Sequence, residues 1–242
     1  MISRELVALQ FEYDENDYKR NLEKLQDLIT SHSTDSIIVA PELCLTNFSF
    51  DKLQEAHEFS QAALDELKLL TYGRVIALSV IEKRDEHFYN TAKIIADGKI
   101  VHSQDKVKLF RFGDEHKFYT PGSEEKVKIV EINGLRFAIL ICFEIRFIEL
   151  WQKIQGADII MIPALWGKLR KEQLEAITRS MAIINQAFVI ISNSSQKDMA
   201  SSSGIITPFG DDYLPEEAES ISLKADLNEI KKMRRYMDIG LK

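Results

Sequence analysis

Hydrophobic residues recur along the chain with two different periods. Apolar runs such as 137–143 and 159–166 have the length of buried strands. Between about residues 15 and 31, apolar positions instead return every three or four residues, as on one face of a helix. The two kinds of segment follow one another along the sequence, which predicts that strands alternate with helices.

The predicted elements form both strand–helix–strand units and hairpins. Asp97-Gly98 and Asn133-Gly134 are typical of two-residue hairpin turns. Hairpins mixed with crossover helices favour an α/β (α+β) sandwich of mixed sheets covered by helices over a doubly wound parallel sheet. Strands are predicted at 6–13, 36–40, 75–81, 87–96, 99–103, 126–132, 135–141, 158–163, 188–193, 203–207 and 220–225. Helices are predicted at about 15–31, 59–70, 145–154 and 167–187, and in the basic segment near the C-terminus.

The composition is typical of a globular protein. Of 242 residues, 45% are hydrophobic and 29% are charged, which excludes the collagen-like, disordered and disulfide-scaffold classes. The formal net charge of −7 argues against nucleic acid or an anionic membrane as the main partner. No apolar run reaches about 18 residues, so no membrane span is expected. Since no repeat or long linker divides the chain, we expect a single domain over residues 1–242.

The sequence gives no signal for a cofactor or for export. It has no GxGxxG, GxxxxGK[ST] or HExxH motif and no paired cysteines, so neither a phosphate cradle nor a metal site is expected. Acidic residues follow the N-terminus before any long apolar run develops, unlike in a signal peptide. The two cysteines, Cys44 and Cys142, suit a reducing cytosol, and we expect a cytoplasmic protein.

Three polar residues stand in or at the ends of apolar strand patterns. Glu42 follows a strand-like run, Lys106 lies in DKVKLF, and Cys142 follows five apolar residues. Each is a candidate catalytic group, because a buried charge is costly unless it is used or paired, and a thiol at a strand end faces a crevice. Taken singly, each also has a structural explanation. The carboxylate could brace a loop, the lysine could extend to the surface, and the cysteine could act as a small hydrophobe.

Together the three residues stand in motifs that resemble the carbon–nitrogen hydrolase (nitrilase) superfamily. APELCLTNF around Glu42, DKVKLF followed by GDEHKFYTPG, and ILICFEIRFIEL around Cys142 occur in the family's order. HFYNTAKIIADGKI, ADIIMIPALWG, ITRSMAIINQAFVIISNSS and SGIITPFGD extend the resemblance from about Leu6 to the last strands. The resemblance implies a four-layer αββα sandwich of two mixed sheets and an amidase that needs no metal or organic cofactor.

The resemblance also implies a role for each residue. Glu42 matches the family's general base, Lys106 its catalytic lysine and Cys142 its nucleophile. Glu115 matches a second glutamate that many members place beside the lysine, and whether it is catalytic or only structural stays open. The thiolate is expected to attack the amide carbon, while Lys106 and the backbone N–H of Phe143 stabilise the oxyanion.

The residues after the nucleophile indicate a substrate branch. CFEIRF resembles the Nit branch, which includes ω-amidases and deaminated-glutathione amidases. A buried Arg146 suits a small carboxylate-bearing amide, since a guanidinium binds a carboxylate through two hydrogen bonds. The alternative is that Arg146 braces the loop through Glu144 or Glu149. Trp166 matches the family's aromatic residue near the site.

Other functions and an assembly state complete the expectations. MAIIN stands where the family usually has R-A-x-E-N, so an N-carbamoyl amidohydrolase or a nitrilase stays open. A non-catalytic binding or assembly scaffold would be expected to lose a catalytic residue, and no histidine stands in a motif that favours a Cys–His hydrolase.

The family implies a homodimer or higher homo-oligomer, with Ile148 and Trp151 at the interface if they are exposed. We expect Cys44 to fill a packing gap and the basic terminal helix to be a solvated face.

Overall fold

The computed structural model describes residues 3–215 and 217–241, which form twelve strands and six α-helices. The strands are β1 (Ser3–Leu9), β2 (Ile37–Val39), β3 (Val75–Arg84), β4 (His87–Ala96), β5 (Lys99–Asp105), β6 (Val130–Ile132), β7 (Leu135–Ile139), β8 (Ile159–Pro163), β9 (Phe188–Ser192), β10 (Gly204–Ile206), β11 (Asp212–Tyr213) and β12 (Ser220–Asp226). The helices are α1 (Tyr18–Thr30), α2 (Leu53–Leu69), α3 (Glu115–Phe118), α4 (Ile148–Lys153), α5 (Lys171–Asn185) and α6 (Asn228–Tyr236).

The strands pair into two mixed sheets of six strands each, in the orders β12-β1-β2-β3-β4-β5 and β11-β10-β9-β8-β7-β6. Parallel strands β1, β2 and β3 form the centre of the first sheet, and β7, β8 and β9 that of the second. The predicted hairpins join β4 to β5 and β6 to β7, where Asp97 and Asn133 have φ angles of 48° and 51°. Turns with positive φ suit hairpins because their twist matches that of the strands.

Alternating side chains of the first sheet are buried on its two faces. Val7 and Leu9 share a core with Leu25 of α1 and Leu64 of α2. Leu6 and Ala8 of β1 instead belong to the core lined by the second sheet, as the two-residue period of a strand requires. Helices α4 and α5 contribute Trp151 and Leu174 to the core of the second sheet, and the two sheets contact each other, for example through β3 and β8. The layers are therefore helix, sheet, sheet and helix, which confirms the predicted fold class.

The first helix shows why its segment is helical. The Asp17 side chain accepts a hydrogen bond from the backbone N–H of Arg20 at 3.0 Å, which satisfies one of the free donors at the helix start. Leu22, Leu25 and Ile29 form its buried face. The charged residues between them face solvent, as the sequence pattern predicts.

Several predicted boundaries move in the structure. The first strand ends at Leu9, four residues early, and the second helix begins at Leu53, six residues before its predicted start. Only the last part of the strand predicted at 126–132 pairs, because residues 124–126 form a 3₁₀ turn capped by the Ser123 side chain. The helices predicted at 145–154 and 167–187 are each preceded by a 3₁₀ turn, and α3 and β11 lie outside the predicted elements.

The C-terminal helix is only partly the solvated face that its charges predict. Lys231, Lys232 and Arg235 are exposed. Arg234 is buried and binds the Asp158 carboxylate at 2.8 Å, which anchors the helix to the start of β8. Among the described residues, no helix is both long and apolar enough to cross a membrane.

Candidate active site

The carboxyl ends of β2, β5, β7 and β8 meet at one edge of the sandwich. Strand β5 runs in the same direction as β2 because two antiparallel pairings separate it from the parallel centre. Glu42 follows β2, Lys106 directly follows β5, and Cys142 follows β7. The backbone N–H of Glu42 donates to the carbonyl oxygen of Ala164, just after β8, at 3.1 Å, which joins the two sheets at this edge.

Lys106 lies between two buried carboxylates. Its Nζ donates to Glu42 Oε1 and to Glu115 Oε1, each at 2.7 Å. Lys106 and Glu42 are fully buried, and Glu115 is 2% exposed. The second oxygen of Glu115 accepts from the backbone N–H of Phe110 at 3.0 Å, and the Phe48 ring lies 6.0 Å from the ammonium. The side chain that the sequence alone allowed to reach the surface is therefore held inside the protein by ion pairs.

The electrostatics of this cluster favour a charged lysine. Burial opposes the ammonium, but the carboxylates of Glu42 and Glu115 outweigh it and raise the pKa of Lys106 above its ordinary value. Burial also raises the pKa of Glu115, against the lowering effect of Lys106. Lys106 is therefore a fixed positive charge at neutral pH.

Cys142 begins the 3₁₀ turn after β7 in a left-handed backbone conformation, with φ of 48°. This conformation is uncommon for a side chain other than glycine, and such strain clusters at functional sites. The thiol is free, and the residue is 7% exposed. Burial and the Glu42 charge raise the pKa of Cys142 well above its ordinary value, although Lys106 and the backbone N–H of Leu165 favour the thiolate. The thiol therefore needs a base to become a nucleophile.

Glu42 has one oxygen engaged and one free. Its Oε1 accepts from Lys106 and from Asn90 Nδ2, the latter at 2.8 Å. Its Oε2 is buried and has no hydrogen-bond partner among the described residues. Asn90 is 1% exposed, and its backbone carbonyl oxygen accepts from the backbone N–H of Lys106 at 2.8 Å. Asn90 therefore holds both groups, and a carboxylate oxygen is left to accept a proton.

Comparison with known proteins assigns the family. Residues 6–235 match the carbon-nitrogen hydrolase family, which is most of the chain. The chain belongs to this family. A 2-oxoglutaramate amidase of Bacillus subtilis is 31% identical over 217 residues, which are 85% of this chain and 83% of that protein. Omega-amidase YafV of Escherichia coli K12 is 31% identical over 158 residues, covering 63% of this chain and 59% of its own.

Solved structures agree on the architecture. The crystal structure of XC1258 from Xanthomonas campestris, a CN-hydrolase superfamily protein, superposes with a TM-score of 0.86 and covers 98% of this chain and 96% of its own. Its sequence identity of 21% makes this a likeness of fold. As a carbon–nitrogen hydrolase, the protein is an enzyme that acts on carbon–nitrogen bonds other than peptide bonds, and it is an amidase. The family and enzyme class predicted from the sequence are confirmed.

In this hydrolase the position of Arg146 differs from the one that the sequence predicts. The sequence interpretation took it as buried, but the side chain is exposed, because the turn after Cys142 directs it outward. Its guanidinium bonds Gln173 Oε1 of α5 and lies 5.0 Å from the centre of the Trp166 ring. Its contacts are therefore with these two residues, and the predicted brace through Glu144 or Glu149 is not formed.

Trp166 and Phe143 lie on the segments that flank the thiol. Trp166 is buried, with its indole N–H donating to the carbonyl oxygen of Arg170 at 2.8 Å. Its neighbour Leu165 supplies the N–H that contacts the Cys142 sulfur. The Phe143 ring packs 5.0 Å from that of Phe110 and lines a groove of about 710 Å³ beside the turn.

Sequence reasoning missed three contributors to the site. Asn90 stands in the HFYNTAKIIADGKI motif, where its side chain is buried, but its hydrogen bond to Glu42 spans 48 residues and cannot be read from the strand alone. Leu165 acts through its backbone N–H, which no side-chain pattern can reveal. Glu144 is fully buried and binds backbone N–H groups on two loops. Among residues 3–215 and 217–241, no group of three or more His, Cys, Asp or Glu residues could hold a metal ion.

Proposed function

We propose that the enzyme hydrolyses a small carboxylate-bearing amide through a thioester on Cys142 and releases ammonia, as an ω-amidase does. The observation that carries the proposal is the buried Glu42–Lys106–Glu115 cluster, with a free carboxylate oxygen, around a buried free thiol. The 2-oxoglutaramate amidase and omega-amidase names of its relatives support the substrate class. On this proposal Glu42, Lys106 and Cys142 are catalytic residues, and Glu115 is a positioning residue.

In the first step Glu42 Oε2 takes the proton of the Cys142 thiol, and the sulfur attacks the amide carbon. This use of Glu42 follows from the raised pKa of the thiol, which leaves little thiolate in the absence of a base. The carbonyl oxygen becomes an oxyanion. The ammonium of Lys106 and the backbone N–H of Phe143 stabilise it, since donors fixed in a dry site are effective against developing charge. Leu165 N–H supports the sulfur.

In the second step the tetrahedral adduct collapses. The carbon–nitrogen bond breaks, Glu42 returns its proton to the leaving nitrogen, and ammonia departs from a thioester on Cys142. Glu42 then accepts a proton from water as the water oxygen attacks the thioester carbon. The carbon–sulfur bond breaks, the thiol regains its proton, and a carboxylic acid leaves. The sum is amide plus water to acid plus ammonia.

Glu115 holds Lys106 in this cycle. It is joined to the ammonium at 2.7 Å and to the backbone N–H of Phe110 at 3.0 Å, so it ties the lysine to the segment that follows β5. The Glu115 carboxylate also keeps Lys106 charged while Glu42 is transiently protonated. The cluster then retains one anion beside the ammonium throughout the reaction.

Arg146 is our candidate for the carboxylate of the substrate, with Trp166 as the surface that supports it. Its exposed guanidinium is already oriented by Gln173 and by the Trp166 ring. We expect Arg146→Met to raise KM for a carboxylate-bearing amide by about 10- to 100-fold, the value of a charged hydrogen-bonded pair. KM for a neutral aliphatic amide of the same length should change little.

Steady-state kinetics on the two amides check this prediction, with Arg170→Met as the matched control. Arg170 stacks 5.3 Å from the Phe110 ring and lies outside the proposed carboxylate contact. An equal rise in KM for both amides in the Arg146→Met enzyme would mean that Arg146 only braces the turn.

The test of the proposed function is ammonia release from a panel of amides that includes 2-oxoglutaramate, a deaminated-glutathione-like amide, an N-carbamoyl amino acid, a nitrile and a neutral aliphatic amide. Turnover is expected on the carboxylate-bearing amides and is expected to be lost in Cys142→Ala. Turnover on the N-carbamoyl compound alone or on the nitrile alone would contradict the proposed amide substrate and make that compound the substrate class instead. Silence of a folded protein on the whole panel would favour the non-catalytic scaffold.

We also propose that the enzyme is a cytoplasmic homodimer. Cys44 and Cys142 are free thiols, which suits a reducing compartment. Ile148 at the start of α4 and Ile184 on α5 are 53% and 52% exposed, whereas Trp151 is 2% exposed and faces the core. Sedimentation equilibrium should give twice the mass of one chain, and Ile184→Lys should shift it toward one chain without unfolding the protein.

A further inference from the structure

Glu144 is a buried carboxylate outside the catalytic set. It is fully buried in the turn after Cys142. Its Oε1 accepts from the backbone N–H of Val107 at 2.6 Å, and its Oε2 accepts from that of Ile141 at 2.7 Å. Each donor is the neighbour in sequence of a residue in the proposed mechanism, since Val107 follows Lys106 and Ile141 precedes Cys142.

These two hydrogen bonds join segments from different sheets. Val107 follows β5 of the first sheet, and Ile141 follows β7 of the second. The N–H of Lys108 also faces the carboxylate. A carboxylate has two acceptor oxygens, so one side chain can bind donors on both segments, and a neutral side chain of the same size cannot match it.

We infer that Glu144 is a positioning residue that fixes the distance and orientation between the Lys106 ammonium and the Cys142 sulfur. This inference rests on the proposed function, because it assigns Lys106 to the oxyanion and Cys142 to the attack. Burying a charge without a partner ion is costly, and these backbone hydrogen bonds offset that cost only while both segments hold their places.

The pKa of Glu144 allows its role to be tested by a change of pH. Burial raises the pKa of Glu144 to about 7, although the N–H groups of Ile141 and Val107 and the ammonium of Lys106 lower it. The Lys106 ammonium acts on it from the end of β5, and the backbone N–H of Lys108 acts on it from the same segment. As pH falls through about 7, the carboxylate gains a proton, and one oxygen turns from acceptor to donor against an N–H.

The test compares Glu144→Gln with Glu149→Gln, a matched change on the same segment. Glu149 is partly exposed and pairs with the Lys108 ammonium at 3.3 Å. We expect Glu144→Gln to lower kcat by about 10- to 100-fold, because one buried N–H loses its charged acceptor. KM should change by less than about threefold, since the substrate contacts are intact. In the wild type, kcat should fall as the pH drops below about 7, which is the acidic limb of its pH profile. This acidic limb should be absent in Glu144→Gln and present in Glu149→Gln.

The rate at which iodoacetamide alkylates Cys142 separates positioning from folding. It should fall in Glu144→Gln at a temperature where circular dichroism shows the variant folded. A folded Glu144→Gln with kcat within about twofold of the wild type, or with the acidic limb unchanged, would overturn the inference. If Cys142→Ala is inactive but Glu144→Gln has the kcat of the wild type, Glu144 is not a positioning residue. The proposed function is then still supported. Retained activity in Cys142→Ala would instead remove the proposed function.

A wild-type measurement keeps the inference testable if Glu144→Gln does not fold. The amide proton resonances of Val107 and Ile141 should move together with pH, with the same midpoint as the acidic limb of kcat. Resonances that do not titrate with kcat would overturn the positioning role without any substitution.

Discussion

Replacing Cys142 with alanine should reduce turnover by at least about 10⁴-fold, because loss of a nucleophile removes the covalent route entirely. The fold should survive, since the substitution removes a single sulfur and leaves an L-residue at the same left-handed position. Ammonia release measures the activity, and thermal unfolding measures the stability.

The matched control is Cys44→Ala. Cys44 is also a free, fully buried thiol, but it packs in the core between the first sheet and its helices. Its removal should leave a small cavity that costs about 1 kcal/mol of stability, with activity within about threefold of the wild type. Cys142→Ala protein that retained more than about 1% of wild-type activity would contradict the nucleophile assignment.

Replacing Lys106 with methionine should damage both stability and activity. Glu42 and Glu115 would be left buried without their cation, and breaking such a pair costs about 3–5 kcal/mol. Activity should fall by at least about 10²- to 10³-fold, the usual loss when an oxyanion donor is removed. The stability loss should be smaller at about pH 5 than at about pH 8, because acid protonates the stranded carboxylates.

Two further variants separate the effects of Lys106. Lys108→Met removes a neighbouring lysine that pairs with the partly exposed Glu124 at 2.7 Å, and it should cost no more than about 1 kcal/mol. Adding Glu115→Gln to Lys106→Met removes one stranded charge and should restore part of the stability but none of the activity. A Lys106→Met enzyme with wild-type stability and activity would contradict the ion cluster as the centre of the site.

The sequence predicts the site residues whose side chains stand in recognisable motifs. Glu42, Lys106 and Cys142 are polar residues at the ends of apolar strands, and their motifs follow the family's order. The parallel strands β2 and β8 read as continuous apolar runs because both of their faces are buried. The hairpins at Asp97 and Asn133 are predictable because their dipeptides adopt the positive φ that such turns require.

Other features depend on contacts that a linear pattern does not contain. The outward direction of Arg146 depends on the 3₁₀ turn that replaces the first part of a predicted helix. Glu144 and Leu165 act on or through backbone N–H groups, whose partners are set by the packing of the two sheets. Arg234 is buried because Asp158 lies opposite it, 76 residues away in sequence. Its charge alone predicts exposure.

A thioester on Cys142 can be detected in the intact mass of the enzyme quenched in acid within milliseconds of mixing with its best carboxylate-bearing amide. We expect an adduct with the mass of the acyl group, located by peptide mapping on the segment that holds Cys142 and absent from Cys142→Ala. Ammonia release that proceeds with no adduct on Cys142, or with an adduct on another residue, would contradict this mechanism.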